Sequence, residues 1–373
     1  MYIMGSSRIL SLNGFNYMAN LTNNDISNTL QSQVLEAVET KTALKIQGGN
    51  SKHFYGRAIE AQLLDVSPHQ GIINYEPTEL VMTARAGTRL ETIEAALNEH
   101  RQTLAFEPPR YADSATLGGT FACNFSGPRR AYRGSARDNL LGSKIINGKG
   151  EILSFGGEVM KNVAGYDASR LMCGAMGTLG VMLEASIKVT PKAETEITLV
   201  HRCSVQQALD KMHQWALSSL PLSGSCYDGK NLYIRLSSNE AAITSASKII
   251  GGEHLEDKTF WNQLKEQQLP FFNTDKPLWR LSISSNTGPL NLQGETLYEW
   301  GGALRWLSSD EPLEKIRHAA QAAGGHATLF YNTNPQIEPF HELGPGLVSI
   351  HRNLKQAFDP LNILNPARMY VNL

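Results

Sequence analysis

Apolar residues recur at helical spacing in the first part of the chain and then give way to short apolar runs. From Ile26 onward an apolar residue occupies every fourth position as far as 38, which predicts a helix over residues 25–40. The run 44–47 predicts a strand that leads directly into glycines. Thr88 and Glu91 have the spacing of a capping box, which predicts that another helix begins there.

Residues 195–330 show a different pattern, in which strand-like runs alternate with amphipathic segments. Two such sets follow each other, and Asp228-Gly229 indicates a hairpin turn in the first. An earlier hairpin is indicated at Asn147-Gly148. Two similar units side by side predict one antiparallel sheet backed by helices, and hence an α+β fold.

Composition and charge exclude several classes of function. The 373 residues include 34 Lys and Arg against 35 Asp and Glu, and the net charge of −1 does not favour a nucleic acid or an anionic membrane as partner. No apolar run approaches the length of a membrane span, so we expect a cytoplasmic protein without direct membrane insertion. The four cysteines form no C-x-x-C pair, so we expect this chain to hold no metal and no iron–sulfur cluster.

Three glycine clusters stand out in the first half, at 48–49, 118–127 and 174–180. Successive backbone N–H groups around glycines form concavities that bind anions, and glycine lets a ligand approach the backbone closely. Three clusters together indicate a large phosphate-bearing cofactor rather than plain turns. No G-x-G-x-x-G follows a strand, so the Rossmann fingerprint is missing and the site is of another type.

The order of these clusters resembles a known family. The runs are QGGNSKHFYGR (47–57), SATLGGTFACNFSGPRR (114–130), KNVAGYDASRLMCGAMGTLGV (161–181) and DPLNILNPARM (359–369). They resemble the FAD-binding proteins of the vanillyl-alcohol oxidase/p-cresol methylhydroxylase (PCMH) superfamily. Within it, these motifs and EWGGALRW are most similar to the FAD-binding subunits of bacterial glycolate oxidases.

The resemblance implies a domain plan. Residues 21–192 would form a two-part PCMH-type FAD-binding domain. Residues 193–335 would form a smaller α+β cap domain with an antiparallel sheet, and 336–373 a segment that returns to the flavin. We expect residues 1–20 to be disordered, or to have been included because the start codon was assigned too far upstream.

The resemblance also implies which residues contact FAD. The first pyrophosphate loop would be Gly48, Gly49, Asn50, Ser51 and Lys52. The second loop, along the ribityl and flavin portion, would be Ser114, Ala115, Thr116, Leu117, Gly118 and Gly119, with Ala122, Asn124 and Gly127. The adenosine end would meet Gly177, Gly180 and Val181, and the isoalloxazine would meet Asn365.

The link to the flavin is expected to be non-covalent. Members of this superfamily sometimes tether the flavin to a histidine in the first loop. Here that position is Asn50, and His53 lies three residues further on. We therefore predict non-covalent FAD, with His53 as an ordinary loop histidine.

Oxidation of a 2-hydroxy acid requires a cation for the carboxylate and a base for the hydroxyl proton. Arg280 and Arg305, both in predicted strands of the cap domain, are candidate cations, although each could equally be a structural ion-pair arginine. His326 is a candidate base, with Tyr331 and His341 as alternatives. A lone histidine is more often structural than catalytic.

Four arginines follow the second glycine cluster, at Arg129, Arg130, Arg133 and Arg137. They could clamp a carboxylate or phosphate, form a solvated loop edge, or dock an acidic partner. Because the glycine loops already serve the pyrophosphate, we favour packing or subunit docking for most of them, with one reaching the flavin site.

The sequence departs from related flavin 2-hydroxy-acid dehydrogenases in one respect. Their cap domain carries an H-x-G-D-G-N-x-H-like segment that supplies histidines for a metal and for the substrate. This chain has GGHATLFY, with a single histidine. Independent oxidation of glycolate by this chain is therefore an open question.

The resemblance implies an FAD-binding subunit of a complex that oxidises glycolate, or a similar 2-hydroxy acid, to glyoxylate. Hydride would pass to the flavin, and electrons would then be relayed to an iron–sulfur subunit and toward quinone, in a complex that also contains a larger homologous FAD subunit. The complex would bring the chain to the inner membrane peripherally. The alternatives are a self-sufficient FAD-dependent 2-hydroxy-acid dehydrogenase of the lactate type and a non-catalytic scaffold.

Overall fold

The computed structural model describes residues 23–157, 168–331 and 337–372. Within these ranges the helices are α1 (Ser27–Thr40), α2 (Leu90–Glu99), α3 (Leu117–Cys123), α4 (Arg130–Arg133), α5 (Ala136–Asn139), α6 (Val205–Ala216), α7 (Glu240–Ile250), α8 (Phe260–Lys265), α9 (Leu313–Ala322) and α10 (Pro345–Phe358). None of these helices is both long and apolar enough to cross a membrane.

The strands of the first half are β1 (Leu44–Gln47), β2 (Gln62–Asp65), β3 (Ile72–Glu76), β4 (Val81–Arg85), β5 (Gln102–Thr103), β6 (Leu140–Ile146), β7 (Ile152–Gly156), β8 (Val181–Lys188) and β9 (Thr190–Pro191). Those of the second half are β10 (Thr195–Arg202), β11 (Leu222–Tyr227), β12 (Asn231–Ser238), β13 (Glu253–His254), β14 (Leu278–Ser282), β15 (Glu295–Glu299), β16 (Leu304–Ser308) and β17 (His326–Tyr331).

The N-terminal domain has two parts. In the first, α1 packs Leu30 and Val34 against the parallel pair β1–β2. In the second, a five-stranded antiparallel sheet has the order β3-β4-β8-β6-β7, and α2 and α3 cover one face. Buried and partly exposed positions alternate strictly along β8, as expected for a strand with one face on the core. The glycine loops lie where the two parts meet, with Gly48 and Gly49 packed on Thr116 and Ser114.

The start of α2 differs from the capping box predicted at Thr88. The helix begins at Leu90, and Arg89 before it makes no side-chain cap. The buried Thr88 hydroxyl instead accepts the N–H of Gly71 at 2.9 Å and donates to the Gly71 carbonyl. That prediction was wrong because the hydroxyl is used by a neighbouring loop rather than by its own helix.

The second half forms the predicted antiparallel sheet, here of eight strands in the order β13-β10-β12-β11-β15-β16-β14-β17. Helices α6 and α7 pack on one half of one face, and α9 packs on the other half. The opposite face is rich in aromatic side chains and meets the N-terminal domain. Phe330 of β17, for example, lies 5.5 Å from the ring of Tyr55 and 5.5 Å from that of Phe125.

An ion-pair network joins the two domains beside this aromatic interface. Glu107 of the N-terminal domain accepts hydrogen bonds from Arg129 at 2.8 Å and from Arg235 of β12 at 2.7 Å. Burial alone would raise the pKa of Glu107, but the two guanidiniums hold it below its usual range. This network of Glu107, Arg129 and Arg235, which we call the interdomain clamp, therefore keeps a charged carboxylate at the interface.

The C-terminal segment returns to the N-terminal domain through a buried ammonium. Lys355 of α10 donates to Asp359 at 2.7 Å and to the carbonyls of Thr178 and Leu364, both at 2.8 Å. Leu364 then bridges to Leu44 in parallel, beside the strand that leads into the first glycine loop. The last residues are thus fixed against two of the three glycine clusters.

Candidate functional site

The first glycine loop presents a row of backbone donors. Strand β1 ends at Gln47, and the backbone N–H groups of Gly48 through Lys52 make no hydrogen bond to any described residue. Asn50 has φ of 56°, in the left-handed region, which turns successive N–H groups toward one side. A loop of this shape binds an anion such as pyrophosphate.

The second loop packs directly on the first. A methyl group at Gly49 would overlap the carbonyl of Ser114, and one at Gly48 would lie 2.6 Å from the Thr116 hydroxyl. The Ser114 hydroxyl donates to the Gly49 carbonyl at 2.5 Å. These glycines are therefore required for loop-on-loop packing as well as for approach of a ligand, whereas the sequence had suggested only the second reason.

Asn365 ties the third loop to the first. Its side-chain oxygen accepts the Ile46 N–H at 2.7 Å, and its amide donates to the Met176 carbonyl at 2.6 Å. Gly177, beside it, has φ of 75°, and a methyl group there would lie 2.6 Å from the Asn365 amide. The predicted C-terminal residue thus stands in the wall that the glycine loops form.

The three loops enclose a groove made of two adjoining cavities, of about 90 and 110 Å³. Seven residues line both cavities: Ile46, Gly48, Thr116, Gly119, Ala122, Met176 and Asn365. The first cavity extends to Gly118, Gly177 and Gly180 beside apolar Val66 and Met182, and the second extends along Gly49, Asn50, Ser51 and Lys52. Most residues that the resemblance assigned to FAD therefore line one continuous groove.

The remaining assigned residues lie behind or beside the groove. Ala115, Leu117 and Val181 are buried in the hydrophobic cores that support the loops. Ser114 holds the first loop, as described above. The Gly127 carbonyl accepts the indole N–H of Trp300 at 3.0 Å. Asn124 lines a neighbouring cavity, and its buried side-chain oxygen has no partner among the described residues.

Lys52 places a positive charge in the groove wall. Its side chain is 6% exposed, and its ammonium donates to the Ser51 hydroxyl at 3.2 Å and the Arg110 carbonyl at 3.3 Å. Burial lowers the pKa of this ammonium. An anion in the groove would favour the charged form of this ammonium, which burial alone disfavours. Unpaired N–H groups, bare glycine walls and a buried ammonium together fit the pyrophosphate of FAD.

A third and larger cavity, of about 670 Å³, lies between the groove and the sheet of the cap domain. It meets the groove at Cys123 and Met176, which line both spaces. From the N-terminal domain it receives Tyr55 and Arg130, and from the cap sheet it receives Arg280 and His326. This arrangement places polar side chains of the cap opposite the end of the groove. We call this space the interdomain cavity.

Two arginines in the interdomain cavity share one aromatic ring. The guanidinium carbon of Arg130 lies 4.4 Å from the ring centre of Trp300, and that of Arg280 lies 5.2 Å from it. Neither guanidinium has a hydrogen-bond or ion-pair partner in the described parts of the chain. Burial, together with the charge of Arg280, lowers the pKa of Arg130. Two unpaired guanidiniums in one cavity can bind a carboxylate.

His326 faces the same cavity for reasons of strand register. In the pair β14–β17, Ser282 lies opposite His326 and Arg280 lies opposite Thr328, and all four line the cavity. Residues two apart on a strand share a face, so Arg280 and His326 point the same way. Part of the His326 surface is exposed, but desolvation by the surrounding cavity walls, with the nearby Arg280 and His341, lowers its pKa. Its imidazole is therefore neutral near pH 7 and can accept a proton.

The other candidate bases have different positions. His341 lines the interdomain cavity, and its Nδ1 accepts the N–H of Ala327 at 3.3 Å. Tyr331 is outside the cavity lining and donates to Gln267 at 2.8 Å. Within the described ranges no group of three or more His, Cys, Asp or Glu side chains is placed to hold a metal ion.

Arg305 lies on the other side of the cap sheet and outside this lining. It is 1% exposed, stacks 5.1 Å from the Tyr298 ring centre, and donates to the Gly302 carbonyl at 3.1 Å and the Gly288 carbonyl at 2.7 Å. A third bond reaches the Thr287 carbonyl. Each of the three guanidinium nitrogens thus donates to a backbone carbonyl, which gives Arg305 a structural role.

The basic run after the second glycine cluster divides into three environments. Arg129 belongs to the interdomain clamp, with Glu107 and Glu196 as partners. Arg130 lines the interdomain cavity, whereas Arg133 and Arg137, which are exposed as Arg130 is, lie outside its lining. Docking of a protein partner thus stays a prediction for the last two residues only.

Two tyrosines of the interdomain cavity had no signal of their own in the sequence. Tyr55 lies just after the first glycine loop, and burial raises its pKa to about 12. Tyr370 follows the C-terminal motif. The sequence indicated a place near the site only in that each tyrosine lies close to a predicted motif. The KNVAGYD portion of the third motif and residues 1–20 lie outside the described residues.

Comparison with known proteins agrees with this geometry. A family model described as an FAD binding domain matches residues 27–156. The chain is 49% identical over 349 residues to the glycolate oxidase subunit GlcE of Escherichia coli strain K12, covering 94% of this chain and 99% of that protein. It is 35% identical over 131 residues to the glycolate oxidase subunit GlcD of Bacillus subtilis strain 168, covering 35% of this chain and 27% of that protein.

Among solved structures, an alkyldihydroxyacetonephosphate synthase has a TM-score of 0.64 at 15% identity, covering 91% of this chain and 74% of that one. At this identity the likeness concerns the fold alone. The matches confirm the resemblance stated from the sequence, the α+β fold of PCMH type and the FAD cofactor. The chain belongs to the family of the glycolate oxidase subunit GlcE, and it is an FAD-dependent oxidoreductase subunit.

Proposed function

We propose that this chain binds FAD non-covalently along the glycine groove and oxidises glycolate, or a similar small 2-hydroxy acid, in the interdomain cavity. The observation that carries the proposal is the pair of guanidiniums, Arg130 and Arg280, which have no ion-pair partner among the described residues and lie beside a neutral His326 in a cavity that adjoins the groove. The family supports the choice of glycolate, because the Escherichia coli relative is a glycolate oxidase subunit.

The N–H groups of Gly48 through Lys52 would hold the pyrophosphate, with the Lys52 ammonium as counter-charge. Gly180 and the apolar Val66 and Met182 would receive the adenosine end, because an aromatic base suits an apolar wall. Asn124 and Cys123, where the groove meets the interdomain cavity, would flank the isoalloxazine. Asn365 holds two of the loops that form this path in register.

The substrate carboxylate binds Arg280 and Arg130 at one side of the interdomain cavity. Charge-assisted hydrogen bonds from guanidinium to carboxylate fix the acid in one orientation. His326, neutral because burial and Arg280 lower its pKa, takes the hydroxyl proton. FAD, when bound, supplies the acceptor for the hydride that leaves the α-carbon, so that glycolate becomes glyoxylate and the flavin gains two electrons.

The electrons leave through other chains of a complex. The described residues of this chain provide no cysteine cluster, so the iron–sulfur relay belongs to a separate subunit, beside a larger homologous FAD subunit. That complex delivers electrons toward quinone and brings the chain to the inner face of the membrane from the cytoplasm. The similarity to the Bacillus subtilis subunit supports a homologous flavin partner.

The purified chain tests this proposal without its partners. We expect a yellow protein whose FAD stays in solution after acid precipitation and whose flavin absorption band is bleached by glycolate without oxygen. A colourless but folded chain supports the scaffold alternative instead. A yellow chain whose flavin never reacts with glycolate would mean that another subunit oxidises the substrate. Flavin that precipitates with the protein contradicts non-covalent attachment.

A further inference from the structure

Glu299 is a buried acid that the proposed chemistry does not use. It ends β15, where it lies opposite Cys226 of β11 and Leu304 of β16, and its side chain is 5% exposed. One carboxyl oxygen accepts the indole N–H of Trp306 at 2.7 Å. No cation forms an ion pair with Glu299 in the part of the chain that the structure describes. A buried carboxyl group without an ion-pair partner is unusual and calls for a cause.

The register of the cap sheet connects Glu299 to Arg280. Arg280 of β14 lies opposite Trp306 of β16, and Trp306 in turn lies opposite Leu297 of β15. Because side chains alternate along a strand, Glu299 shares the face of Leu297, Trp306 and Arg280. The Trp306 ring lies 5.9 Å from the Arg280 guanidinium, while its N–H binds Glu299. The Trp306 indole is therefore hydrogen-bonded to Glu299 and lies beside the guanidinium of Arg280.

We propose that Glu299 is a positioning residue whose proton controls how strongly Arg280 binds the substrate carboxylate. With the proton on, Glu299 is neutral and the whole charge of Arg280 is available to the substrate. With the proton off, the Glu299 carboxylate attracts the same guanidinium and weakens substrate binding. By linkage, binding of an anion at Arg280 favours the protonated form and is accompanied by proton uptake. The inference rests on the carboxylate site proposed above.

The charged and titratable groups around Glu299 allow this control near neutral pH. Burial raises the pKa of Glu299 to about 7, against the opposing effects of the Trp306 hydrogen bond and then of the Arg280 charge. Of its other neighbours, Arg235 and Glu107 form an ion pair with each other at 2.7 Å. Cys226 stays neutral because burial raises its pKa well above the usual value.

The remaining groups near the site do not titrate in the same range. Tyr111 also interacts electrostatically with Glu299, and its burial holds its pKa well above the usual value. Desolvation lowers the pKa values of His326 and His341 from their usual range, so both imidazoles are neutral at pH 7 and above. Around and above neutral pH, Glu299 is therefore the group expected to change charge beside Arg280.

The test uses oxalate, an anion that this chemistry cannot oxidise and that does not titrate in this range. The FAD-loaded chain is titrated with oxalate at pH 6.5, 7.5 and 8.5, with calorimetry and flavin absorbance as readouts. We expect the dissociation constant to rise about tenfold from the lowest to the highest pH, the size expected for one charge about 10 Å away at an effective dielectric constant near 20. Glu299→Gln, which keeps the shape and an acceptor for Trp306, should bind oxalate equally well at all three values.

Glu342→Gln is the matched control, because Glu342 also lines the interdomain cavity but lies exposed at its rim. It should keep the full pH dependence. A wild-type dissociation constant that does not vary with pH, or a Glu299→Gln protein that keeps the tenfold change, overturns the role of Glu299 and leaves the carboxylate site intact. Failure of the folded, yellow wild-type chain to bind oxalate at any pH overturns the proposed site itself.

A second measurement covers the case in which Glu299→Gln does not fold. Calorimetry of the wild-type chain at pH 7.5 in two buffers with different heats of ionisation measures the protons taken up with oxalate. We expect uptake of a substantial fraction of one proton per oxalate. Zero uptake contradicts the linkage, whatever the behaviour of the variant.

Discussion

The guanidinium carbon of Arg130, from the N-terminal domain, lies 4.4 Å from the ring centre of Trp300, from the cap domain. Arg280 lies 5.2 Å from the same ring, so two like charges approach one indole, and no acidic side chain of the described residues pairs with either. The ring offsets part of their repulsion through its electron-rich face. The carboxylate that we propose as ligand would offset the rest.

Removal of either cation should weaken anion binding. We expect Arg280→Met and Arg130→Met to raise the dissociation constant for oxalate roughly 10- to 100-fold at pH 6.5, because each loses a charge-assisted hydrogen bond. Arg133→Met is the control, since Arg133 is an exposed arginine on α4, like Arg130, but lies outside the cavity lining. Calorimetric titration of the FAD-loaded variants measures the effect. Equal loss in the Arg133 variant would point to a general effect of charge.

Gly49→Ala should abolish tight binding of FAD. The added methyl group meets the backbone of Ser114, which cannot move away as a flexible side chain could. We expect destabilisation of about 1–3 kcal/mol and loss of the flavin during purification. Flavin absorbance per protein and a thermal melt measure both. Gly346→Ala, on α10 with no atom within 4 Å of the new methyl group, should keep its flavin and its stability.

His326 should determine the rate of flavin reduction at saturating glycolate. We expect the flavin of the His326→Gln variant to be reduced at least about 100-fold more slowly than that of the wild type, because a general base usually contributes a factor of this size. In the wild type, the rate should rise with pH in the acidic range as the imidazole loses its proton and level off by neutral pH, because the pKa of His326 is lowered. Anaerobic rapid mixing at several pH values measures both. An unchanged rate in the variant would remove His326 from the chemistry.

Lys355→Met should loosen the C-terminal segment and the third glycine loop together. The change leaves the fully buried side chain of Asp359 without its cation and frees the Thr178 carbonyl. We expect a loss of about 3 kcal/mol in the free energy of unfolding and weaker FAD binding. Lys276→Met removes an exposed ion pair with Asp310 and should cost less than about 1 kcal/mol. Urea unfolding of both variants makes the comparison.

Local periodicity predicted much of the fold. Strand β17 covers the predicted run 326–331, and β1 covers 44–47, because alternation and flanking glycines define such short elements. Helix α1 begins within two residues of its predicted start. The Thr88 capping box failed because its hydroxyl had a competing partner in Gly71, which is distant in the sequence. Contacts of that kind leave no periodic signal.

The candidate cations show why the site was harder to predict than the fold. Arg280 and Arg305 both stand in strands beside aromatic residues, and the sequence treats them alike. In the sheet, Leu281 lies opposite Arg305 while Arg280 lies opposite Trp306, so the two arginines point to opposite faces. Register between strands decides which arginine reaches the interdomain cavity. Arg130 was hidden for a similar reason, because its partner Trp300 is 170 positions away in the sequence.

The most direct test of substrate oxidation in this chain is the deuterium isotope effect on flavin reduction. The purified, FAD-loaded chain is mixed without oxygen and without partners with glycolate or with glycolate deuterated at the α-carbon. We expect glycolate to bleach the flavin band with formation of one glyoxylate per FAD, and the deuterated acid to react more slowly, because the α-carbon–hydrogen bond breaks in that step. A folded, fully FAD-loaded chain whose flavin band is unchanged by either acid would contradict substrate oxidation at this site.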